Sequence, residues 1–129
     1  NAVGAWSSEE TIAAAEAMPW TAEIYGDSST YSLASQVVSI LRPGVYFVCF
    51  SIYGEAVAPG HLHVTLTADS TTYDWREDGL PGSELYAHAT VPLVKTTTTP
   101  TAVVVTLEDG TSAGATGATK SLLTILKMR

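Results

Sequence analysis

Short runs of alternating apolar and polar residues dominate this sequence, and no other feature constrains its fold as strongly. The run from His61 to Ala68, for example, places Leu62, Val64 and Leu66 on one face and His or Thr on the other. A two-residue period is typical of strands with one buried face. Such runs recur roughly every 8–12 residues between clusters of Gly, Pro and Asp. The pattern predicts an all-β, antiparallel jelly-roll sandwich of about eight strands.

The longest strand candidate, residues 45–53, is apolar on both faces. Its even-numbered side chains form one face, and its odd-numbered side chains form the other: Val45, Phe47, Cys49, Ser51 and Tyr53. A strand of this kind is covered on both sides, and a chain of 129 residues has few elements left for the second cover. We therefore expect a partner subunit there, with Val45, Phe47, Cys49 and Tyr53 in the interface.

The first 18 residues have conflicting local preferences. Ser7 and Glu10 have the spacing of a helix capping box, and an alanine-rich run follows until Pro19. A short helix and an extended segment both stay open at this point. Because the segment lacks the clean alternation of the later strands, we divide the chain into an N-terminal arm, residues 1–18, and a jelly-roll domain, residues 19–129. We expect this domain to fold without residues 1–10.

Composition excludes several classes of function. The chain has 13 Asp and Glu against 6 Lys and Arg, a formal net charge of -7, which excludes a non-specific nucleic-acid binder because few cations can neutralise phosphates. The apolar runs are too short to span a bilayer, so we expect no membrane partner.

The single cysteine, Cys49, excludes an intrachain disulfide and a cysteine-based zinc site. Its apolar surroundings predict a packed core side chain.

Two groups of polar side chains are candidates for chemistry. His61 and His63 share a strand face at a spacing that suits a metal ion, although the sequence supplies no further ligand by its spacing. A nearby acidic stretch offers ligands for calcium or a carboxylate pair for hydrolysis: Asp69, Asp74, Glu77 and Asp78. Solvent-facing or interface histidines and a solvated loop explain both groups better. We therefore predict no catalytic residue, no metal and no cofactor.

Aromatic residues offer a different kind of site. Six of them are candidates for a sugar-stacking platform: Trp6, Trp20, Trp75, Tyr25, Tyr31 and Tyr73. Aromatic rings of this kind also provide much of the packing in cores and interfaces. The packing interpretation is favoured, and exposed aromatic side chains would instead indicate a receptor-binding surface.

Motifs near the start, in the middle and at the end of the chain resemble a known superfamily. A strand ends in Ile40 and Leu41, residues 43–48 read Pro-Gly-Val-Tyr-Phe-Val, and residues 121–127 read Ser-Leu-Leu-Thr-Ile-Leu-Lys. This order resembles the C1q/TNF-like jelly rolls, and most closely the small jelly-roll modules of tailed-phage virion proteins, such as capsid decoration proteins, head fibres and tail-fibre tips. Residues 4–6 are similar to the opening strand of such modules.

The resemblance implies a role in assembly. Modules of this kind commonly form trimers, so it implies a homotrimeric, non-enzymatic virion protein that binds the major capsid protein on the outer capsid surface and stabilises the capsid. We assign the capsid contact to the arm, through Val3, Trp6 and Ile12. Three alternatives stay open: a receptor- or glycan-binding tip domain of a phage fibre, a secreted C1q/TNF-like ligand domain, and a small acidic hydrolase.

Overall fold

The strands of the chain form a sandwich of two antiparallel sheets. The computed structural model describes residues 2–10, 12–13, 15–55, 61–78, 84–109, 111–112 and 121–129, with the backbone alone at residues 55, 61, 84–86, 109 and 111–112. The strands are β1 (Val3–Ser8), β2 (Ala22–Tyr25), β3 (Tyr31–Ala34), β4 (Val37–Ile40), β5 (Gly44–Glu55), β6 (His61–Ala68), β7 (Thr71–Asp78), β8 (Glu84–Lys95), β9 (Thr101–Asp109), β10 (Thr111–Ser112) and β11 (Ser121–Lys127).

Sheet topology confirms the predicted all-β jelly-roll sandwich. The larger sheet runs β8–β5–β11–β1–β2, and the short β10 also pairs with β5; the smaller sheet runs β3–β4–β9–β6–β7. The described strands exceed the expected eight because β2, β3 and β10 are too short, at two to four residues, to show alternation. Among the described residues, no helix has the length and apolar character needed to cross a bilayer.

The core lies between the inner faces of the two sheets. Strand alternation delivers its side chains, since even-numbered residues of β5 and β6 are buried while their odd-numbered neighbours point outward. Its largest fully buried apolar members come from both sheets and from the N-terminal segment: Trp6, Trp20, Tyr46, Ile40, Ile52, Leu62, Leu66, Leu107, Leu123 and Ile125. Burial of such side chains contributes about 1.5–3 kcal/mol each to folding.

Three aromatic rings pack in series at one end of this core. Trp6 contacts Tyr31 edge-on, with ring centroids 5.5 Å apart, and Tyr31 contacts Tyr46 at 6.3 Å. The Tyr31 hydroxyl donates to the Ala2 carbonyl at 2.9 Å and lies 3.3 Å from the Ile125 carbonyl. These bonds tie the smaller sheet, through β3, to β1 and β11 of the larger one.

The segment between β1 and β2 contains a turn at Ala15 and no helix among its described residues, so the alternative of a short helix is wrong for them. Ala15 donates its N–H to Leu107 O at 2.6 Å, and Met18 donates its N–H to Val105 O at 2.8 Å. The segment therefore pairs with the part of β9 that lies beyond its contacts with β4. This path buries Ile12 and Met18 in the common core, and that tertiary burial outweighs the local helix preference.

Residues assigned by sequence to an arm are part of the sandwich. Strand β1 lies between β11 and β2, with Trp6 opposite Leu123 and Glu23. Trp6 and Ile12 belong to the same hydrophobic cluster as the residues of the later strands. The division of the chain at residue 18 therefore falls inside a shared core.

Candidate functional site

Strand register places one set of side chains on the outer face of the larger sheet. Residues directly opposite each other in antiparallel strands share a face, and Phe47 lies opposite Pro92 of β8 and Leu126 of β11. The same register defines what we call the outer face, formed by Val45, Phe47, Cys49, Ser51 and Tyr53 of β5, His88, Thr90, Pro92 and Val94 of β8, Leu122, Thr124 and Leu126 of β11, and Val3, Ala5 and Ser7 of β1.

These positions carry no Asp, Glu, Lys or Arg, and the same register continues to Glu55 opposite Glu84 at one end of the β5–β8 pair. Several of its large apolar side chains are open to solvent in the single chain: Val94 is 62% exposed, Phe47 37% and Leu122 37%. Tyr25, opposite Ala5 of β1, extends the apolar surface onto the neighbouring edge strand β2 and is 53% exposed. Contiguous apolar surface of this kind marks sites of interaction with other molecules.

The outer face of the smaller sheet has the opposite character. His63 Nε2 lies 3.0 Å from Asp74 Oδ1, and the Thr65 hydroxyl donates to Glu108 Oε1 at 2.9 Å. Arg76 Nε lies 3.5 Å from Asp78 Oδ1 on the edge strand β7. Charged and hydroxyl side chains of this kind are well solvated, so the two outer faces differ in what they can bind.

The four residues predicted for the subunit interface all lie on the outer face. Val45 and Cys49 are half-buried, Phe47 is exposed, and Tyr53 is 8% exposed in the single chain. The prediction that Cys49 packs in the core is wrong for one chain, because odd-numbered residues of β5 point away from the core. The Thr90 hydroxyl donates to Cys49 Sγ at 3.4 Å across the strand pair.

The three residues predicted to contact a capsid are in different environments. Trp6 is 0% exposed and Ile12 is 5% exposed, so a contact with another molecule through these two side chains would require the core to open. Val3 is half-buried and lies on the outer face opposite Leu126. The capsid contact itself stays a prediction.

The other candidate groups are dispersed. Trp6, Trp20 and Tyr31 are in the core, whereas Trp75 and Tyr25 are exposed, so the six aromatic residues do not form one platform. Among the described residues, no group of three or more His, Cys, Asp or Glu side chains could hold a metal ion. His63 pairs with Asp74, and the side chain of His61 lies outside the described residues.

Sequence reasoning missed most of the outer face. Val94, Leu122 and Leu126 have no distinctive local pattern, and only pairing with β5 brings them beside Phe47. The available signal is the alternation within residues 121–127, which predicts a strand but not its neighbours. Strands β5 and β11 are far apart in the sequence, so no short turn sets their register. That register decides which apolar side chains become neighbours.

Known structures share this fold over nearly their whole length. The globular domain of a zebrafish complement 1qA protein superposes with a TM-score of 0.75 at 12% identity, covering 100% of this chain and 98% of that one. Murine APRIL at pH 5.0 gives 0.74 at 8% identity, with 98% of each chain covered. Eiger TNF from S. frugiperda gives 0.65 at 16% identity, covering 99% of this chain and 91% of that one.

Sequence comparison adds nothing to this result, since no family model and no curated protein matches the chain. At such low identity the likeness shows the fold alone, which is C1q/TNF-like. The expected resemblance to that superfamily is confirmed at the level of fold, while the closer resemblance to phage virion modules is not shown by these structures.

Proposed function

We propose that this chain is a non-enzymatic binding module that assembles into a homotrimer through the outer face of its larger sheet. The observation that carries the proposal is the composition of that face, which presents Phe47, Leu122 and Val94 to solvent without a charged neighbour among its residues. Its C1q/TNF-like fold supports a trimer, because the jelly rolls that the sequence resembles commonly form trimers.

Electrostatics favours this face over the others for contact between copies. Each chain carries a formal net charge of -7, so identical chains repel one another at long range. Contact through the positions around Phe47, Val94 and Leu122 removes no Asp, Glu, Lys or Arg side chain from water and therefore avoids the desolvation of charges. Each Å² of apolar surface buried there contributes roughly 25 cal/mol of favourable hydrophobic free energy, which offsets the entropy lost on association.

The same fold supports a ligand-type domain as the role of the assembled module. Its likeness to a complement 1qA domain, APRIL and Eiger TNF favours a secreted C1q/TNF-like ligand over a capsid decoration protein. In this proposal the outer face holds the trimer together, and the polar surface of the smaller sheet stays available to a partner. Binding of the labelled trimer to cells, without co-sedimentation with capsids, is the expected result; the reverse would favour the capsid role.

Matched substitutions on the two outer faces test the trimer. Leu122→Glu places a charge on the proposed interface, and Val37→Glu places one on the smaller sheet at the same exposed fraction of 37%. We expect wild type and Val37→Glu to have a mass in solution three times the 13.6 kDa of the chain. Leu122→Glu should give the mass of one chain while its circular dichroism spectrum stays unchanged.

The Cys49 thiol gives a second measurement of the same interface. Cys49 is half-buried on the outer face of the single chain, so assembly should slow its reaction with a maleimide. We expect slow labelling in wild type and fast labelling in Leu122→Glu. A monomeric wild type at micromolar concentration, or a Val37→Glu protein that dissociates as readily as Leu122→Glu, would show that the outer face is not the interface.

A further inference from the structure

Half of the basic residues of this acidic chain meet in one cleft. The cleft has a volume of about 670 Å³ and lies at the end of the sandwich where β5 begins and β11 ends. Arg42, Lys127 and Arg129 line it, out of 6 Lys and Arg in the sequence. Its volume falls within the range of about 300–1,000 Å³ that is common for small-molecule sites.

Among the described Lys and Arg residues, the three in the cleft are the ones whose side chains have no hydrogen-bonded or ion-paired partner. Arg76 lies 3.5 Å from Asp78, and Lys95 is 2% exposed and donates to Thr99 O and to the Thr101 hydroxyl. Among the described residues, no ion pair includes Arg42, Lys127 or Arg129. Their positive charge is therefore available to a ligand.

The acidic residue of the cleft is already engaged by its own turn. Asp27 Oδ1 accepts from the Ser29 N–H at 3.1 Å and the Ser29 hydroxyl at 2.9 Å, and Asp27 Oδ2 accepts from the Thr30 hydroxyl at 2.8 Å. These hydrogen bonds, led by that of Thr30, lower the pKa of the Asp27 carboxyl, with a smaller contribution from Arg42. Even counting Asp27 and the carboxylate of a chain that ends at Arg129, the lining stays net positive.

Regular strand structure holds these cations in place. Lys127 donates its N–H to Ala2 O at 2.8 Å, and Arg129 O accepts the Val45 N–H at 2.8 Å. Lys127 is half-buried because residue 44 is a glycine: a Cβ at Gly44 would lie 2.9 Å from Lys127 Cε and 2.5 Å from Arg129 O. Lys127 at the end of β11 and Arg129 just beyond it thus project from a backbone that is fixed by hydrogen bonds.

We propose that this cleft binds a small oxyanion, the carboxylate or phosphate group of a soluble ligand. Ammonium and guanidinium groups make short, charge-assisted hydrogen bonds to such oxygens. The net charge of -7 makes the chain as a whole repel anions, whereas the three basic side chains attract them to the cleft. Val3 and Tyr25 line the cleft and also belong to or border the outer face, but the three basic residues lie outside that face, so we expect the cleft to be occupied in the monomer as well as in the trimer.

Calorimetric titration of the full chain at low ionic strength tests the site, with sodium phosphate and sodium citrate as the two probes. We expect one site per chain for at least one probe, and the tighter probe distinguishes a phosphate from a polycarboxylate ligand. Arg42→Gln and Lys127→Gln should each weaken binding about tenfold or more, the loss expected for a hydrogen bond to a charged group. Arg76→Gln, which removes a charge outside the cleft, should leave it unchanged.

Further measurements keep the outcomes distinct. Arg42 is exposed, so Arg42→Gln should fold. It tests the proposal even where Lys127→Gln does not fold. Monomeric Leu122→Glu should bind the probes like wild type, which separates this site from the trimer proposal. Absence of binding by both probes up to about 10 mM, or equal weakening by Arg76→Gln, would overturn the proposal.

Discussion

The position of Trp6 depends on the missing side chain of Gly4. A Cβ at Gly4 would lie 2.3 Å from the Trp6 ring, and that ring is 0% exposed. Tyr31 fixes the ring from one side by an edge-on contact, and Trp6 Nε1 donates to Glu23 Oε1 at 3.2 Å. Glycine is therefore required here to let the ring lie back along its own strand.

Gly4→Ala is expected to lower the free energy of unfolding by about 1–3 kcal/mol, the usual cost of overpacking a core. Gly26→Ala is the comparison, because its Cβ would meet Glu23 Oε1 at 2.8 Å at the end of an exposed side chain, which disturbs the Trp6 hydrogen bond without overpacking the ring and should cost less. Urea denaturation of both variants measures the difference. Equal stabilities would mean that the Trp6 ring has room to shift.

Tyr31 makes stability depend on alkaline pH. Burial raises the pKa of its phenol above the usual value of about 10, and burial also raises the pKa of Tyr46. Below about pH 10 both folded and unfolded phenols are protonated, so the stabilisation is fully present. As pH rises above that value the unfolded chain releases its proton first, and stability is lost toward the higher folded pKa.

Tyr31→Phe should therefore flatten the decline in stability above about pH 10 by up to 1.4 kcal/mol per pH unit, the contribution of one proton. At neutral pH the variant should lose about 1–2 kcal/mol with its hydroxyl hydrogen bonds. Tyr25→Phe, which removes an exposed phenol, controls for the loss of a hydroxyl. Thermal unfolding between about pH 7 and pH 11 measures this dependence of stability on pH. If Tyr31→Phe loses stability with rising pH as steeply as wild type, the assignment to Tyr31 is wrong.

At the scale of elements, strong alternation was sufficient to predict strands and their faces, and weak local signals were not. The period-two pattern of residues 61–68 predicts the strand and its buried side, whereas residues 45–53, apolar on both faces, predict a strand but not which of its faces is buried in the core. The segment after β1 has strong helix formers, yet it forms no helix because Met18 N–H pairs with Val105 O and Ile12 enters the core. Local spacing contains no information about such a long-range partner, which is also why the cleft of Arg42, Lys127 and Arg129 was not predicted.

Strand β1 is expected to be required for folding. Deletion of residues 1–10 removes Trp6 from the core and turns β11 into an edge strand, because residues 121–126 lose their pairing with β1. Loss of a buried Trp alone costs about 3–5 kcal/mol, against a total stability of about 5–15 kcal/mol for a domain. This outcome reverses the expectation that the domain folds without these residues.

Circular dichroism and urea denaturation of the truncated chain give the measurement. We expect no cooperative unfolding transition after the deletion, whereas Glu9→Gln, which changes an exposed residue just beyond β1, should unfold like wild type. A truncated chain that unfolds cooperatively and keeps its oligomeric mass would show that β1 is dispensable.

At the scale of the whole molecule, the distribution of charge matters more than its sum. The chain has a formal net charge of -7, yet the outer-face positions from Val45 to Tyr53 and their partners on β8 and β11 carry no Asp, Glu, Lys or Arg, and half of the basic residues line one cleft. The acidic groups of the smaller sheet, such as Asp74 and Glu108, lie on the opposite side of the sandwich. Charge therefore opposes self-association, because the acidic chains repel one another, and favours anion binding, because the cleft is basic.

Salt separates these two activities. Raising NaCl from about 0.01 M to about 0.1 M shortens the Debye length from about 30 Å to about 10 Å, which screens the repulsion between acidic chains while leaving apolar contact through the outer face intact. We therefore expect the trimer to form at lower protein concentration as salt rises, whereas phosphate or citrate binding in the cleft should weaken because the same ions screen its cations. Sedimentation equilibrium and calorimetry follow the two in one buffer series, with sulfate omitted because it would compete for the cleft. A trimer that dissociates as NaCl is added would place ion pairs, and not the uncharged outer face, at the interface.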